Sequence, residues 1–569
     1  MTPMMASRAT MAALGLMAGF ALYALGELSQ SNLLPYRLML AVIVFMATFF
    51  GTLLIMIGPI RPLRSSLGAA GIAIVVTVLV VLASLRFETV EDAVKPHIVL
   101  AAMVLTTVPM PFWIAQSLGK WRDYPLLFDE AWSIVVRYAI AWTFTGVVWA
   151  VIFLSDALLQ IVGLTVIGDL LDLGPIPFLI TGGVLGLGLA VVQELQEYIS
   201  PYLLLRMLRL ILPVVLVVTV VFLVALPLQG FSGLFNGLSV ALVMLAMAGV
   251  GATLVTTAVD QDNVQASSST VLIWAARAMS LVLPILAGVG AWAVFLRVWQ
   301  RGWTPDRVFA AEVSVLGIGY GVLYAIAVLR GAGWMDRIRQ SNIVMAFALM
   351  VVSALSLTPL LNAEAISSRN HLARFEAGVL APEDVDAQAL ERWGLAGQAT
   401  LAKLKEISVQ PGQEALADRL ANRSAPVAAP IELLAEAQSV LVLQPETATA
   451  TRDVFLAEFD QFGLEALINA CNSDLPGGGR GCVMIVADLL PASPGEEAVL
   501  ALWNDSGFAS FEGLVQGKRR YEPIIRGSSG VLPFGDDAAQ LMREWQAAPP
   551  AIEPAPVNRL LGSGITVLE

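Results

Sequence analysis

The chain has 569 residues, 57% of them hydrophobic and only 14% charged, with a net charge of −12 and a mean hydropathy of +0.76. Soluble chains carry about 25% charged residues, so the composition excludes an ordinary soluble protein. The acidic balance excludes nucleic acid as a partner, because phosphate binding needs clustered Lys and Arg.

Two His (His97, His371) and two Cys (Cys471, Cys482) exclude a His- or Cys-built metal, haem or iron–sulfur site made by this chain alone, and no cofactor is expected. They also exclude a Cys–His nucleophile unless His371 approaches one of the cysteines. From Met1 to Leu361 the sequence is long apolar stretches with short polar breaks, whereas beyond Asn362 it reads as a soluble protein. The expected fold is mainly α: a polytopic bundle of about eleven spans over 1–361, then a C-terminal soluble α+β domain.

Arg8 and the apolar run Ala9 to Leu25 fit a signal peptide or a first span. Glu27 to Arg37 leads straight into another apolar run, with no small-residue cleavage site before a soluble segment, which favours a retained helix. Apolar runs of about 17–25 residues then predict spans at 9–26, 38–58, 67–85, 97–118, 132–154, 175–193, 207–228, 236–258, 270–296, 308–329 and 342–361. The segment 155–173 is apolar but broken by Asp156, Asp169 and Asp172. It reads as interfacial or re-entrant; if it spans, every later orientation flips.

An ionisable group inside a span costs on the order of 2.5–3.5 kcal/mol, so each such residue is a candidate site. Arg137 in the fifth span and Arg277 in the ninth are expected to snorkel to the headgroups. Glu312 in the tenth is too short for that and is expected to pair with an Arg or a polar neighbour inside the bundle, with Arg297 and Arg307 near the outer face as candidates. A proton- or substrate-coupling role is the alternative. Asp156, with Ser155, is expected to cap the segment that follows. Gly182, Gly183, Gly186 and Gly188, Gly249 and Gly251, and Gly317, Gly319 and Gly321 give small-residue faces suited to close helix packing.

With the N-terminus inside, the cytoplasmic loops carry Arg8, Arg61, Arg64, Lys120, Arg122, Arg206, Arg209, Arg330, Arg337 and Arg339. The outer loops carry Arg37, Arg86, Lys95, Arg297, Arg301 and Arg307. Ten against six favours this orientation and, with an odd number of spans, places the C-terminal domain in the periplasm. The basic group Arg297, Arg301 and Arg307 runs against the trend. It could dock on the acidic C-terminal domain, bind anionic headgroups or a substrate phosphate, or mark a misread topology.

After the last span, 362–410 reads as a helical stalk, 411–438 as a linker rich in Pro and Gly, and 439–569 as the α+β domain. Within it, Ser439–Leu443 reads as a strand and 451–470 as an amphipathic helix. Cys482–Asp488, Ala498–Trp503, Phe508–Val515 and Arg520–Ile525 read as a β-meander. Cys471 and Cys482 flank a loop containing Gly477, Gly478 and Gly479. A disulfide there suits an oxidising compartment and would contribute about 3 kcal/mol; two reduced thiols are the alternative. The glycine run lacks the Gly-Lys-Ser/Thr ending of a phosphate loop.

Trp299, Arg301, Gly302, Trp303, Thr304, Pro305, Asp306 and Arg307 resemble a motif of the bacterial membrane family known only as domain of unknown function 4153. Leu361, Asn362, Ala363, Glu364, Ser367, Asn370, Arg374, Phe375 and Gly378 are similar to that family too, as are Trp393, Gly394 and Gly397. The likeness is confined mainly to 297–400. It implies a helical bundle followed by an extracytoplasmic segment containing a strand, an Asp-rich turn and acidic residues, and it implies no activity. Here that turn keeps Asp488 but continues Leu-Leu-Pro-Ala-Ser, which does not provide the alternating oxygen ligands of a calcium loop.

No Ser–His–Asp set, nucleotide motif or paired catalytic carboxylates emerge. The leading expectation is therefore a non-enzymatic inner-membrane scaffold or accessory subunit, with membrane lipids and other membrane or periplasmic proteins as partners. A secondary transporter or lipid-handling protein is the alternative, and a transferase using a lipid-linked donor the third reading.

Overall fold

In the computed structural model the described residues are all except 1–2, 31–33, 58, 90, 163, 195–200, 230–237, 422–430, 460, 490–495, 504–508, 515–534, 551–556, 560–565 and 569. They form two compact units, one comprising Met1–Glu376 with Ala389–Ala402 and the other Ala377–Gln388 with Lys403–Glu569.

The first unit is helical: α1 (Pro3–Gln30), α2 (Tyr36–Met56), α3 (Pro62–Ser84), α4 (Pro96–Thr107), α5 (Pro109–Ser117), α6 (Tyr124–Ile161), α7 (Val166–Leu171) and α8 (Ile176–Glu194). It continues through α9 (Pro201–Gln229), α10 (Leu238–Val259), α11 (Thr270–Arg301), α12 (Pro305–Leu329) and α13 (Trp334–Ser356). Eleven of its helical segments are long and apolar enough to cross a membrane, α4 and α5 together counting as one. The break between those two falls before Pro109, which cannot donate to the helix ladder. The segment 155–173 adds no span. Its first part extends α6 to 38 residues, about 57 Å long, and only the six residues of α7 follow.

Glycines set the closest helix crossings. A Cβ on Gly15 would lie 2.0 Å from the Gly182 carbonyl oxygen, and one on Gly186 2.3 Å from that of Met11, so α1 and α8 meet backbone to backbone. Gly321 plays the same part between α12 and α11, where a Cβ would lie 2.6 Å from the nitrogen of Pro284. That proline has no N–H, so the approach strands no donor.

Two further helices belong to the first unit rather than to a separate stalk: α14 (Ala363–Glu376) and the early part of α16 (Gly394–Ser408), with most of α15 (Ala387–Arg392) between them. The stalk expected over 362–410 is thus divided between the units. Its first half is held by hydrogen bonds to the bundle, as described below.

The second unit contains α17 (Glu414–Ala421) and α18 (Ile431–Val440), so the stretch expected as a linker is partly helical. Ser439 and Val440 end α18, and the strand forecast at 439–443 is only β1 (Leu443–Gln444). The single helix expected over 451–470 is two, α19 (Thr449–Ala457) and α20 (Gln461–Asn472). β2 (Cys482–Ala487), β3 (Glu497–Trp503) and β4 (Ala509–Leu514) form the antiparallel meander, with β1 added parallel to β2. The strand forecast at Arg520–Ile525 lies wholly outside the described residues.

Cys482, Met484 and Val486 pack with α18, α19 and α20, while Val483 and Ile485 pack with α21 (Gly535–Ala547). Burial on both faces explains the unbroken apolar run of β2. A separate ribbon pairs β5 (Val557–Arg559) with β6 (Thr566–Leu568). Cys471 and Cys482 are disulfide-bonded, so neither is a thiol that His371 could activate. Gly477, Gly478 and Gly479 turn the intervening loop at φ values of 83°, 96° and 105°, a region that favours glycine.

Candidate functional site

Polar groups gather at both ends of α13, whose 23 residues rise about 34 Å. At its C-terminal end the last carbonyls have no partner within the helix. Arg86, in the turn beyond α3, fills that need: its Nη2 donates to the carbonyl oxygens of Ser356 (2.6 Å) and Thr358 (2.7 Å). Its Nη1 reaches Glu364 Oε2 at 3.4 Å.

Glu364 is 1% exposed and sits in the first turn of α14, where the helix dipole favours an anion. Asn362 starts that helix by accepting the Ala365 N–H on its Oδ1 (2.9 Å). His97, at the start of α4, places Nε2 3.2 Å from Glu364 Oε1, an ion-pair distance rather than an aligned hydrogen bond. Glu312 of α12 completes the group, within electrostatic reach of His97, Arg86 and Glu364.

Burial alone would push the Glu364 carboxyl up, but the close approach of His97, its own backbone and the charge of Arg86 hold it below its ordinary value. Burial draws the Arg86 guanidinium down, and Glu364 and Glu312 oppose that.

The surroundings hold this group in place. Gly394 has φ 61°, and a Cβ there would sit 2.5 Å from the Arg86 carbonyl oxygen. The next N–H, of Leu395, donates to that same oxygen at 2.9 Å. Arg37 Nη2 donates to the carbonyl of the fully buried Phe87 at 3.0 Å.

The turn between α11 and α12 meets α14 beside this cluster. Asn370 Oδ1 accepts the Trp303 N–H (2.9 Å), and Arg374 donates to the carbonyls of Trp299 (3.2 Å) and Gln300 (2.8 Å) at the end of α11. Gly302, at φ 79°, leaves room for them: a Cβ would lie 2.8 Å from Asn370 Oδ1. Thr304 caps α12 by accepting the Arg307 N–H (3.3 Å), Pro305 opens the helix, and Arg307 Nη1 donates to the Gly302 carbonyl (2.7 Å).

At the other end of α13, Arg339 donates to the carbonyls of Val259 (2.7 Å) and Asp260 (3.0 Å) at the end of α10, and to Asp336 Oδ1 (2.6 Å). Arg209 of α9 pairs with Asp260. Asn342 Nδ2 donates to the Tyr124 hydroxyl (2.7 Å), and its Oδ1 accepts from Tyr324. Beside this network lies a cavity of about 400 Å³ lined by Phe128, Asp129, Tyr202, Leu205, Asp260, Gln261 and Gln265, a volume in the range of small-molecule sites.

Several sequence expectations change. Glu312 faces Arg86 and His97 rather than Arg297 or Arg307. Arg137 does not snorkel: it is 5% exposed and lies 3.3 Å from Glu130, because α6 begins eight residues earlier than the forecast span. Arg277 lies over the rings of Trp334 (5.3 Å) and Trp274 (6.0 Å). Asp156 caps nothing, since α6 runs through it; its Oδ2 accepts from Gln160 one turn on (2.8 Å).

Arg86, His97 and Asp260 escaped attention as site residues. The usable signal was that His97 is the sole histidine before Asn362. No family model matches this chain, and no curated protein or solved structure matches it either.

Proposed function

We propose that this is a multi-pass protein of a bacterial inner membrane, N-terminus cytoplasmic, whose bundle is a non-enzymatic scaffold for a periplasmic α+β unit. The eleven apolar helices support insertion, as do the large apolar side chains exposed along them, such as Val147, Val151 and Leu154 of α6 and Leu210, Val214 and Val217 of α9. The loop-charge bias, the odd span number and the Cys471–Cys482 bond support the orientation.

The observation that carries the scaffold reading is the cluster of Arg86, His97, Glu312 and Glu364. Its charges are directed at the protein's own helix end and at each other. They fasten the segment after the last span to the bundle, as a fixed joint requires.

Reporter fusions after residue 365 test the topology: alkaline phosphatase should be active there and a cytoplasmic fluorescent reporter dark, and the reverse pattern overturns the orientation. The scaffold role is tested by in-cell crosslinking from the C-terminal unit. A discrete complex with another membrane or periplasmic protein, lost on Arg86→Met, is expected; crosslinks to no protein overturn it.

The cavity beside Asp129 and Asp260 favours a second reading, secondary transport of a small polar solute. In that case Glu312→Gln and Asp129→Asn abolish solute uptake into proteoliposomes at unchanged protein yield. Wild-type uptake in both variants removes the support for it.

A further inference from the structure

Where α11 ends and α12 begins, four arginines come together: Arg297, Arg301 and Arg374 all act electrostatically on Arg307, with the Asp306 carboxylate opposing them, and Arg374 and Arg307 both bond carbonyls of the same turn. Like charges so gathered repel, and an anion between or above them relieves that repulsion. Arg374 and Arg307 are partly engaged with backbone carbonyls, whereas Arg301 is exposed.

Directly beneath the arginines, between α11 and α12, is a cavity of about 200 Å³. Val294, Phe295 and Val298 form one wall, Ala311 and Val315 the other, and Trp303 its upper edge. Its one hydroxyl, on Ser314, is already satisfied by the Ala310 carbonyl (2.7 Å), so the lining is apolar in effect. From Val298 to its deepest lining residue on α11, Ala291, is two helical turns, about 10 Å.

The exposed outer side of α11 at the same height carries a ladder of Trp292, Phe295 and Trp299, with ring centroids 5.4 and 6.3 Å apart. Aromatic side chains of this kind concentrate at the membrane–water interface. In the membrane reading Trp299, level with Arg297 and Arg301, sets the arginines at the headgroups, and the cavity runs from there along α11 toward Ala291 and the acyl chains.

We infer that this site binds an anionic phospholipid, its phosphate among Arg297, Arg301, Arg307 and Arg374 and the start of an acyl chain in the cavity below. The shape is specific to an amphiphile: a free phosphate uses the arginines alone, and a neutral lipid the cavity alone. The inference depends on the membrane reading but not on the scaffold role or on which face is outside.

The test uses the full-length protein, delipidated in neutral detergent and titrated with phosphatidylglycerol, phosphatidylcholine or inorganic phosphate, with retained molecules counted by native mass spectrometry. Phosphatidylglycerol should be retained at least about fivefold more than phosphatidylcholine, and Arg301→Gln should reduce its retention about fivefold, the scale of one basic residue near an anionic headgroup. Arg301→Lys should restore most of it, and Ala311→Leu, which fills the cavity, should reduce it as well. Should Ala311→Leu unfold, Arg301→Gln and its lysine rescue decide alone. Equal retention of the two lipids overturns the inference, as does displacement of phosphatidylglycerol by equimolar phosphate, or retention unchanged in Arg301→Gln.

Discussion

The two ends of α13 use the same device to different ends. At each, an arginine donates to the terminal carbonyls of a span helix: Arg86 to those of α13, and Arg339 to those of α10. Arg374 does so for α11, and Arg337 for α12 through the Ala327 and Gly331 carbonyls. A span that ends against protein has no water for its last carbonyls, and a guanidinium with five donors meets that need. The difference lies in what surrounds the cap. Around Arg86 the carboxylates face inward on the joint, whereas near Arg339 the Asp260 carboxylate and Asp129 border a cavity. One end is built to hold; the other has room to admit.

The largest expected effect on this contrast is from Arg86→Met, which strips the cap from α13 and leaves two carboxylates with only His97. It should cost about 3–5 kcal/mol, the scale for breaking a buried ion pair, read by thermal unfolding in detergent. A loss no larger than that of a surface substitution would erase the distinction between the ends.

Arg374→Gln, which removes charge-assisted bonds to the end of α11, should cost about 1.5–3 kcal/mol by the same measurement.

Acid should act on the same end. Glu364 is held below its ordinary value, so the bundle gains stability from it above the unfolded-chain value of about 4.3. That gain disappears as pH falls through the lower folded value. Unfolding followed from pH 6 downward should show this acid loss in the wild type and lack it in Glu364→Gln.

Asp129→Asn should do least to stability, within about 0.5 kcal/mol, since its carboxylate borders the cavity at the receptive end. A large destabilisation there would make the second end a joint as well.

Hydropathy alone located the eleven long apolar helices among the described residues, because a helix apolar all round leaves little room for another reading. The disulfide was legible too, from two cysteines across a glycine-rich loop. What the charges do was not legible, because their partners are remote in sequence: Arg86 and Glu364 are separated by 278 positions. Glu312 was singled out as a carboxylate inside a long apolar helix and expected to meet an arginine, but which arginine, Arg86 rather than Arg297 or Arg307, was hidden for the same cause. The cap role also explains why the loop-charge bias was modest. Arg86, Arg337 and Arg339 meet carbonyls at helix ends, a demand that exists on both faces of a membrane. The helices after Asn362 looked like a stalk because their sequences are polar, and only Arg86, Trp303 and Gln300 reveal what they bind.

The glycine crossing of α1 and α8 has a consequence in time. Gly15 and Gly182 touch backbone to backbone, yet they are made far apart: at about 5–20 residues per second, synthesis takes roughly 10–30 seconds to travel from one to the other. Throughout that interval the first helix has its bare glycine seam without the partner it will meet. The bundle's N-terminal half closes only when the eighth helix arrives. A side chain added at Gly15 would therefore do its damage late, after half a dozen helices are already in place.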